Sequence, residues 1–389
     1  MTRPGRPDRA ERSGPEPEDG GGRTVAPVLA PEPAPPSGPA PADGSLPVPV
    51  PVPVPVPAPA PEPGLVPGGG QIRAWAELLR LPALFSVPGD TLAGAAAVGL
   101  RPGRGTAYAV GASLCLYEAG MALNDWADRE EDAVDRPHRP LPSGRIAPAA
   151  ALGAAGLLTA AGLALASRAG RPALTAATAL AGTVWAYDLR LKHTPAAPAV
   201  MATARALDLV LGATATGPAP RRTATTAPVR RAPGPVASAP VARRGAATRT
   251  GPRVAAPAGA LAVHTYAVTA VSRHEAQGGS TLAPLGALAA TSALGAVTAL
   301  RALRKPGGAT ALVPLLPAAL YVGTTAVPLL HAALNPSPPL TQRAVGSGIR
   351  AMIPLQAALA ARAGAVGTGI GVLGLAPLAR ALARKVSPT

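Results

Sequence analysis

The chain has 389 residues, of which 48% are hydrophobic, 14% charged and 2% aromatic, and its formal net charge is +16. A large soluble core anchored by aromatic side chains is therefore not expected, and the single cysteine, Cys115, excludes an intrachain disulfide and a cysteine-based zinc site. The positive charge does not indicate nucleic-acid binding, because the basic residues are scattered between long apolar runs rather than gathered on one face with aromatic residues.

The first 70 residues differ in composition from the rest of the chain. They contain 21 of the 50 prolines, and residues 47–57 alternate proline with valine, a pattern that favours polyproline II. Such a segment cannot bury enough apolar surface to offset its ordering entropy. We predict a disordered N-terminal tail over residues 1–70, with a ligand for a proline-binding module as the less favoured alternative.

From residue 71 onward, apolar runs long enough to cross a bilayer as helices alternate with short polar breaks. Residues 71–80 suit an interfacial helix that leads into the first run. The sequence predicts an all-α, polytopic membrane helix bundle in residues 71–389. Its nine predicted spans are 82–100, 106–123, 146–167, 172–188, 197–215, 258–272, 281–302, 310–333 and 346–381, the last with a possible break at Gly364.

A second low-complexity stretch, at about 216–257, contains eight arginines and no acid. We predict a disordered basic insertion there. Contact with anionic lipid head groups is the alternative, since each arginine near such a surface is worth up to about 1 kcal/mol. Basic residues in the short loops are divided between the two sides of the predicted bundle, so charge alone does not fix its orientation.

Acidic residues are concentrated at the end of the second predicted span. Outside the tail the chain has twelve, and six of them lie within residues 125–135. Asp125, Asp128 and Asp132 are spaced i, i+3 and i+7, which places them along one helical face over about 10 Å. Carboxylates this close repel one another unless a cation lies between them, and hard oxygen ligands suit Mg²⁺.

Three arginines, Arg136, Arg139 and Arg145, follow these acids directly. Guanidinium groups match the oxygens of phosphates in geometry and charge. Acids followed by arginines favour a metal-bridged polyphosphate site at a membrane surface. The alternative is a solvated loop in which acids and bases neutralise one another.

The stretch NDWADREEDAVDRPHRPLPSG, residues 124–144, resembles the signature NDxxDxxxD…RPxRPLPSG of the UbiA superfamily of intramembrane prenyltransferases. The resemblance extends over roughly Leu79 to Pro388. The EboC-like subgroup is the most similar in the segments LRLPALFSVPGD, YDLRLKHT, ARALDLVLGA and HTYAVTAVSRHEAQGG. The resemblance to the superfamily implies a helical bundle, typically of nine spans. It also implies that the protein transfers an isoprenoid chain from an isoprenyl diphosphate to an acceptor with the help of Mg²⁺.

The resemblance also implies roles for individual residues of the first motif. Asn124, Asp128 and Asp132 match the metal ligands, with Asp125 as a supporting neighbour. Asp128 and Asp132, together with Lys192, are the predicted catalytic residues.

The diphosphate side of the site is implied in the same way. Arg136 and Arg139 match the arginines that bind the diphosphate, and Tyr187 with Lys192 resembles a Tyr…Lys pair beside it. A lysine that closes a span has an equal explanation as an interfacial anchor.

The second acid-rich motif departs from the family pattern. Where relatives place two or three aspartates, this chain has Ser272, Arg273, His274 and Glu275, so Glu275 is the one carboxylate predicted to contact substrate there. Binding of a second Mg²⁺ is therefore in doubt.

Two charged residues of the fifth predicted span, Arg205 and Asp208, are spaced i, i+3 on one helical face. Ionisable residues inside a membrane indicate a functional site, although mutual neutralisation explains the pair equally well.

The resulting hypothesis is Mg²⁺-dependent transfer of an isoprenyl group to an unidentified small-molecule acceptor within a lipid bilayer, with no nucleic-acid partner. We expect a bacterial cell membrane as the location and cytoplasmic active-site loops. The competing hypothesis is a membrane protein that binds an isoprenoid or quinone-like lipid without transforming it. A CDP-alcohol phosphotransferase is disfavoured because its DGxxAR opening is absent from the sequence.

Overall fold

Helices make up most of the described part of the chain, which comprises residues 68–215, 242–303 and 315–386 of a computed structural model. No strand occurs in these ranges, so the predicted all-α class is confirmed. The helices are α1 (Gly68–Leu78), α2 (Pro88–Ala97), α3 (Arg104–Ala127), α4 (Arg129–Asp135), α5 (Pro148–Ala169), α6 (Arg171–Ala186), α7 (Ala197–Thr214), α8 (Ala242–Ser272), α9 (Leu282–Leu303), α10 (Leu315–Leu334), α11 (Pro338–Arg362) and α12 (Val366–Val386).

Five segments within the described ranges are long and apolar enough to cross a membrane. They are Pro148–Ala169, Gly251–Ser272, Leu282–Leu300, Leu315–Leu334 and Pro338–Arg362. The predicted count of nine spans is not confirmed. The predicted first span, 82–100, is a 3₁₀ segment followed by α2, and at ten residues α2 is shorter than the roughly 20 residues that a spanning helix needs.

The ends of the chain and the predicted insertion differ from expectation in detail. The predicted disordered tail lies outside the described residues except for residues 68–70, with which α1 begins. Residues 216–241 of the predicted insertion also lie outside them, whereas residues 242–257 form the first part of α8. The break predicted at Gly364 is confirmed: α11 ends at Arg362 and this glycine has a φ of 92°, which a glycine adopts without strain.

Close helix contact inside the bundle depends on small residues, as expected for helices packed in lipid. The contact of α2 with α7 is the tightest: a Cβ atom at Gly212 would lie 2.0 Å from the Thr91 carbonyl oxygen, and one at Gly94 would lie 1.9 Å from the Leu209 carbonyl oxygen. The two backbones can therefore approach this closely only because both positions lack a side chain.

All three tryptophans of the chain lie in one hydrophobic cluster. Trp75 on α1, Trp126 on α3 and Trp185 on α6 pack around the buried Leu141 and Ile146. Tryptophan is enriched where membrane meets water. The end of the bundle that carries the acid-rich segment therefore has the residues typical of a membrane–water interface.

A buried histidine joins three helices on the other side of the bundle. His264 of α8 lies 2.9 Å from the Tyr321 hydroxyl of α10 through Nδ1 and 3.0 Å from the Gly348 carbonyl of α11 through Nε2. A carbonyl can only accept, so Nε2 donates to Gly348 and Nδ1 accepts from Tyr321.

We expect Tyr321→Phe to lower the free energy of unfolding by about 1–3 kcal/mol, because it leaves the buried Nδ1 of His264 without a donor. Unfolding of the detergent-solubilised protein measures the change. Tyr266→Phe is the matched control, since Tyr266 is 51% exposed. Equal stability of the two variants would contradict the prediction.

Candidate active site

A cavity of about 280 Å³ lies between α3, α6 and α7. Near the ends of α3 and α6 its wall includes Asn124 and Asp188. The cavity therefore opens beside the start of the acid-rich segment. Further along α3 the wall includes Ser113, which lies beside Arg205 and Asp208 of α7. The first of these ends is called the mouth below, and the second the inner end.

The predicted metal motif spans the junction of two helices. Asn124 and Asp125 lie in the last turn of α3, Asp128 is the residue between α3 and α4, and Asp132 lies within α4. The Asn124 side-chain amide donates a hydrogen bond to Asp188 at 3.2 Å. Asp188 is not among the residues predicted from the sequence, although it stands between the predicted residues Tyr187 and Lys192.

Two of the motif carboxylates are held by arginines. Asp125 and Asp132 are 4% and 2% exposed, respectively, which for a charged group requires paired charges. Arg139 lies 2.6 Å from Asp132 and 3.6 Å from Asp125, so one guanidinium bridges both. Arg136 adds a 3.5 Å contact to Asp132. Repulsion between these two acids is thus relieved by the arginines that sequence analysis assigned to the diphosphate.

Arg80 completes this arrangement and was not predicted. Its guanidinium donates to Asp125 at 3.1 Å. It is also the one non-glycine residue of the described ranges with a positive φ, 48°, between α1 and the 3₁₀ segment. Such backbone conformations are enriched at functional sites. No pattern in the sequence around Arg80 indicates this conformation.

Asp128 faces different partners from its neighbours. Its carboxylate forms an ion pair with the Lys192 ammonium, and the imidazole Nε2 of His193 lies 3.9 Å away. Lys192 follows the π-helical turn Tyr187–Leu191 that ends α6, and its side chain is 9% exposed. The structure therefore brings the predicted catalytic residues Asp128 and Lys192 into direct contact.

A possible metal-binding group contains Asp128. Ligand atoms of Asp128, Glu131 and His193 all lie within 4.8 Å of one another. The two carboxylates are the hard oxygen donors that Mg²⁺ prefers, whereas imidazole suits softer divalent ions. The donors present at the mouth therefore fit a divalent cation, and Glu131 and His193 are additional candidates that sequence analysis did not single out as ligands.

The segment after α8 closes the same end of the bundle. Arg273 donates a 2.6 Å hydrogen bond to the Thr194 carbonyl, which ties the end of α8 to the segment after α6. Burial raises the pKa of the Glu275 carboxyl, and the positive charge of Arg136 opposes the rise. Glu275 is therefore within electrostatic reach of the first motif. His274 is half-buried in the same turn.

Comparison with known proteins gives a consistent result. The UbiA prenyltransferase family matches residues 83–336, which is more than half of the chain. The digeranylgeranylglyceryl phosphate synthase of Methanopyrus kandleri is 39% identical over 129 residues, 32% of this chain and 46% of that protein. The corresponding synthase of Methanothrix thermoacetophila is 43% identical over 86 residues, 22% of this chain and 32% of that protein. The chain thus matches less than half of the length of these curated relatives.

A solved structure supports the fold. The apo structure of a UbiA homologue from Aeropyrum pernix K1 has a TM-score of 0.52 and 18% sequence identity, and the match covers 75% of this chain and 98% of that one. At this identity the likeness concerns the fold alone. The family match over most of the helical region and the shared fold lead to one conclusion: this chain is a member of the UbiA prenyltransferase family.

Proposed function

We propose that this protein transfers an isoprenyl group from an isoprenyl diphosphate to a small-molecule acceptor within the membrane, with Mg²⁺ as cofactor. One observation carries the proposal: Asp128, at the end of α3, meets Lys192, beyond the end of α6, beside a cavity between apolar helices. Family membership supports the reaction class. The proposed location is a bacterial cell membrane, with the mouth on the cytoplasmic side.

The metal would be held by oxygen donors of the first motif. Asn124, Asp128 and Asp132 are the proposed ligands, and Asp125 supports them by fixing Arg80 and Arg139. When bound, Mg²⁺ would neutralise part of the charge that develops on the departing diphosphate.

The chain's own cations would bind the diphosphate oxygens. Arg136 and Arg139 supply guanidinium groups from one side, and Lys192 supplies an ammonium from the other. Lys192 is nearly buried, so water screens its charge little and its attraction for a phosphate oxygen is strong. Glu275 and Tyr187 are proposed to contact the substrate: Glu275 lies within electrostatic reach of Arg136, and Tyr187 lines the cavity.

The apolar wall of the cavity would exclude water during transfer. Leu116, Leu180 and Val184 line it between the mouth and the inner end. As the bond from carbon 1 to the diphosphate oxygen breaks, the allylic chain acquires positive charge, and a dry wall protects it from hydrolysis until the acceptor attacks.

Metal-linked binding tests the proposal directly. We expect the purified protein in detergent to bind geranyl diphosphate at least about tenfold more tightly with Mg²⁺ than with EDTA, a difference of about 1.4 kcal/mol. Isothermal titration calorimetry measures both affinities, and restoring Mg²⁺ after EDTA serves as the control. Equal affinity under the two conditions would remove the proposed metal site.

A non-catalytic lipid-binding protein is the second candidate, because the segment after α8 offers only Glu275 where relatives are expected to have two or three aspartates. Both candidates predict binding, so the distinction lies in turnover. Pyrophosphate released from geranyl diphosphate on addition of a cell extract that contains acceptors supports the enzyme. Binding without any release supports the lipid-binding protein.

A further inference from the structure

Arg145, the third arginine after the acid-rich segment, uses every nitrogen of its guanidinium to bind other parts of the protein. Nη1 and Nη2 donate to the two carboxylate oxygens of Glu77 on α1, at 2.7 and 3.2 Å. Nη2 also donates to the His138 carbonyl at 2.6 Å, and Nε donates to the Ser143 hydroxyl at 3.0 Å. Arg145 is therefore placed to join α1 to the loop that follows α4, rather than to bind a phosphate.

The loop held by Arg145 carries Arg139, one of the proposed diphosphate ligands. The Ser143 hydroxyl donates to the Arg139 carbonyl at 2.6 Å, and the Ser143 backbone N–H donates to the same carbonyl at 3.0 Å. His138, whose carbonyl Arg145 also binds, is the residue before Arg139. Arg145 thus fixes the backbone from which the Arg139 side chain reaches the acid-rich segment.

On the other side of this ion pair, Glu77 restrains the backbone of Arg80. The Glu77 carbonyl accepts the Arg80 N–H at 3.1 Å, which closes the turn in which Arg80 has its positive φ of 48°. Such a conformation persists only where the surrounding contacts hold it. Leu78, the residue after Glu77, is 0% exposed and anchors the end of α1 in the tryptophan cluster. By binding the Glu77 side chain, Arg145 therefore also restrains Arg80.

Asp125 closes these contacts into a ring. Its Oδ1 atom accepts a hydrogen bond from Arg80 at 3.1 Å and lies 3.6 Å from Arg139. A carboxylate this deeply buried needs paired positive charge. Because Arg80 supplies part of that charge, more of the Arg139 charge remains for a diphosphate. We call the set of six residues that form these contacts the mouth ring: Glu77, Arg80, Asp125, Arg139, Ser143 and Arg145.

We infer that Glu77 and Arg145 are positioning residues for the proposed transfer. Neither contacts the substrate; their ion pair closes the mouth ring and so sets the direction in which Arg139 meets the diphosphate. The inference rests on the proposed function, since the diphosphate site is part of that proposal. It separates Arg145 from the other two arginines that follow the acids, because Arg145 acts on the diphosphate only through its neighbours.

Glu77→Ala distinguishes this role from a general effect of charge. Removing a carboxylate near the mouth reduces repulsion of an anion, so electrostatics alone predicts tighter binding of geranyl diphosphate. Opening the mouth ring predicts the opposite: we expect binding with Mg²⁺ to weaken by about tenfold, the equivalent of one charge-assisted hydrogen bond to the diphosphate. Isothermal titration calorimetry measures the affinity. The Glu77 side chain is 38% exposed, so its removal leaves no buried cavity and the variant should fold.

Arg145→Lys distinguishes positioning from direct binding. Lysine binds a phosphate as a point charge, so the variant would keep most of its donor affinity if Arg145 contacted the diphosphate. Lysine lacks the planar fork that spans both oxygens of Glu77, so we expect a loss of about tenfold, as in Glu77→Ala. Combining the two substitutions should cause no further loss, because both break the same contact.

Glu130→Ala is the matched control. Glu130 lies at the same end of the bundle and its removal changes the net charge equally, but its side chain is 86% exposed and its partner is Arg129 of the same helix. This variant should bind geranyl diphosphate within about twofold of the wild-type affinity. Hydrogen exchange of residues 74–80 without ligand gives a second readout. It should be about tenfold faster in Glu77→Ala than in Glu130→Ala, since α1 has lost its attachment to the loop.

Two results would overturn the inference. One is binding of geranyl diphosphate by Glu77→Ala that is as tight as that of the wild type or tighter, which would leave charge as the only role of Glu77. The other is equal hydrogen exchange of residues 74–80 in Glu77→Ala and Glu130→Ala, which would mean that packing alone holds α1. Failure of the proposed function gives a different result, namely equal wild-type affinity in Mg²⁺ and in EDTA, and hydrogen exchange tests the mouth ring even then.

Discussion

Replacing Asp128 with asparagine is expected to reduce isoprenyl transfer by at least about 100-fold, because the change removes the carboxylate that contacts Lys192 and belongs to the candidate metal group. Pyrophosphate release under saturating donor measures the loss. Geranyl diphosphate should also bind the variant with the same affinity in Mg²⁺ as in EDTA. The two measurements together connect the loss of turnover to the metal.

Asp135→Asn is the matched control for this prediction. Asp135 belongs to the same acid cluster and its replacement changes the net charge equally, but its side chain is exposed and lies at the end of α4. We expect it to retain at least about half of the wild-type rate, as surface substitutions away from a site usually have small effects. Equal losses in the two variants would show that bulk negative charge, and not the Asp128 position, supports transfer.

Gly212→Ala is expected to destabilise the bundle by about 3 kcal/mol or more, because overpacking of a contact between backbones cannot be relieved by a side-chain rotation. The added Cβ would lie 2.0 to 2.5 Å from three backbone atoms of Thr91, so α2 and α7 must separate. Separation of these helices would also break the Asp90–Arg205 pair. Denaturant-induced unfolding in detergent measures the loss.

Gly182→Ala provides the comparison. Gly182 also lies within a helix, α6, but a Cβ there would meet no atom within 4 Å. The substitution should leave stability unchanged or raise it by up to about 1 kcal/mol, since alanine favours the helix. Similar destabilisation by both substitutions would refute the close contact of α2 with α7.

Local patterns in the sequence were sufficient to predict several features. The apolar runs predicted the helical class, and the isolated Gly364 predicted the break between α11 and α12, because both depend on neighbouring residues alone. The acid cluster predicted three carboxylates along one helical face, but α3 ends at Ala127 and Asp128 lies between α3 and α4, so the three are divided between two helices. The family resemblance assigned Asp128 and Lys192 to the same site, but their direct contact is seen only in the structure.

Contacts between distant segments could not be predicted in this way. The pairing of Asp125 with Arg80 depends on a left-handed backbone at Arg80, for which the sequence has no signal. The pairing of Arg205 with Asp90 depends on the close approach of α2 to α7. Spacing along α7 indicated only that Arg205 and Asp208 share a face, and it could not show that another helix competes for the arginine.

The clustering of the three tryptophans gives the protein an intrinsic optical reporter. Trp75, Trp126 and Trp185 all lie in the cluster near the mouth. The guanidinium carbon of Arg129, the residue after Asp128, lies 4.8 Å from the centroid of the Trp126 ring. Tryptophan fluorescence therefore reports on this end of the bundle and not on the inner end of the cavity. A diphosphate that draws the neighbouring cations towards itself should alter that emission, whereas a ligand confined to the depth of the cavity should leave it unchanged.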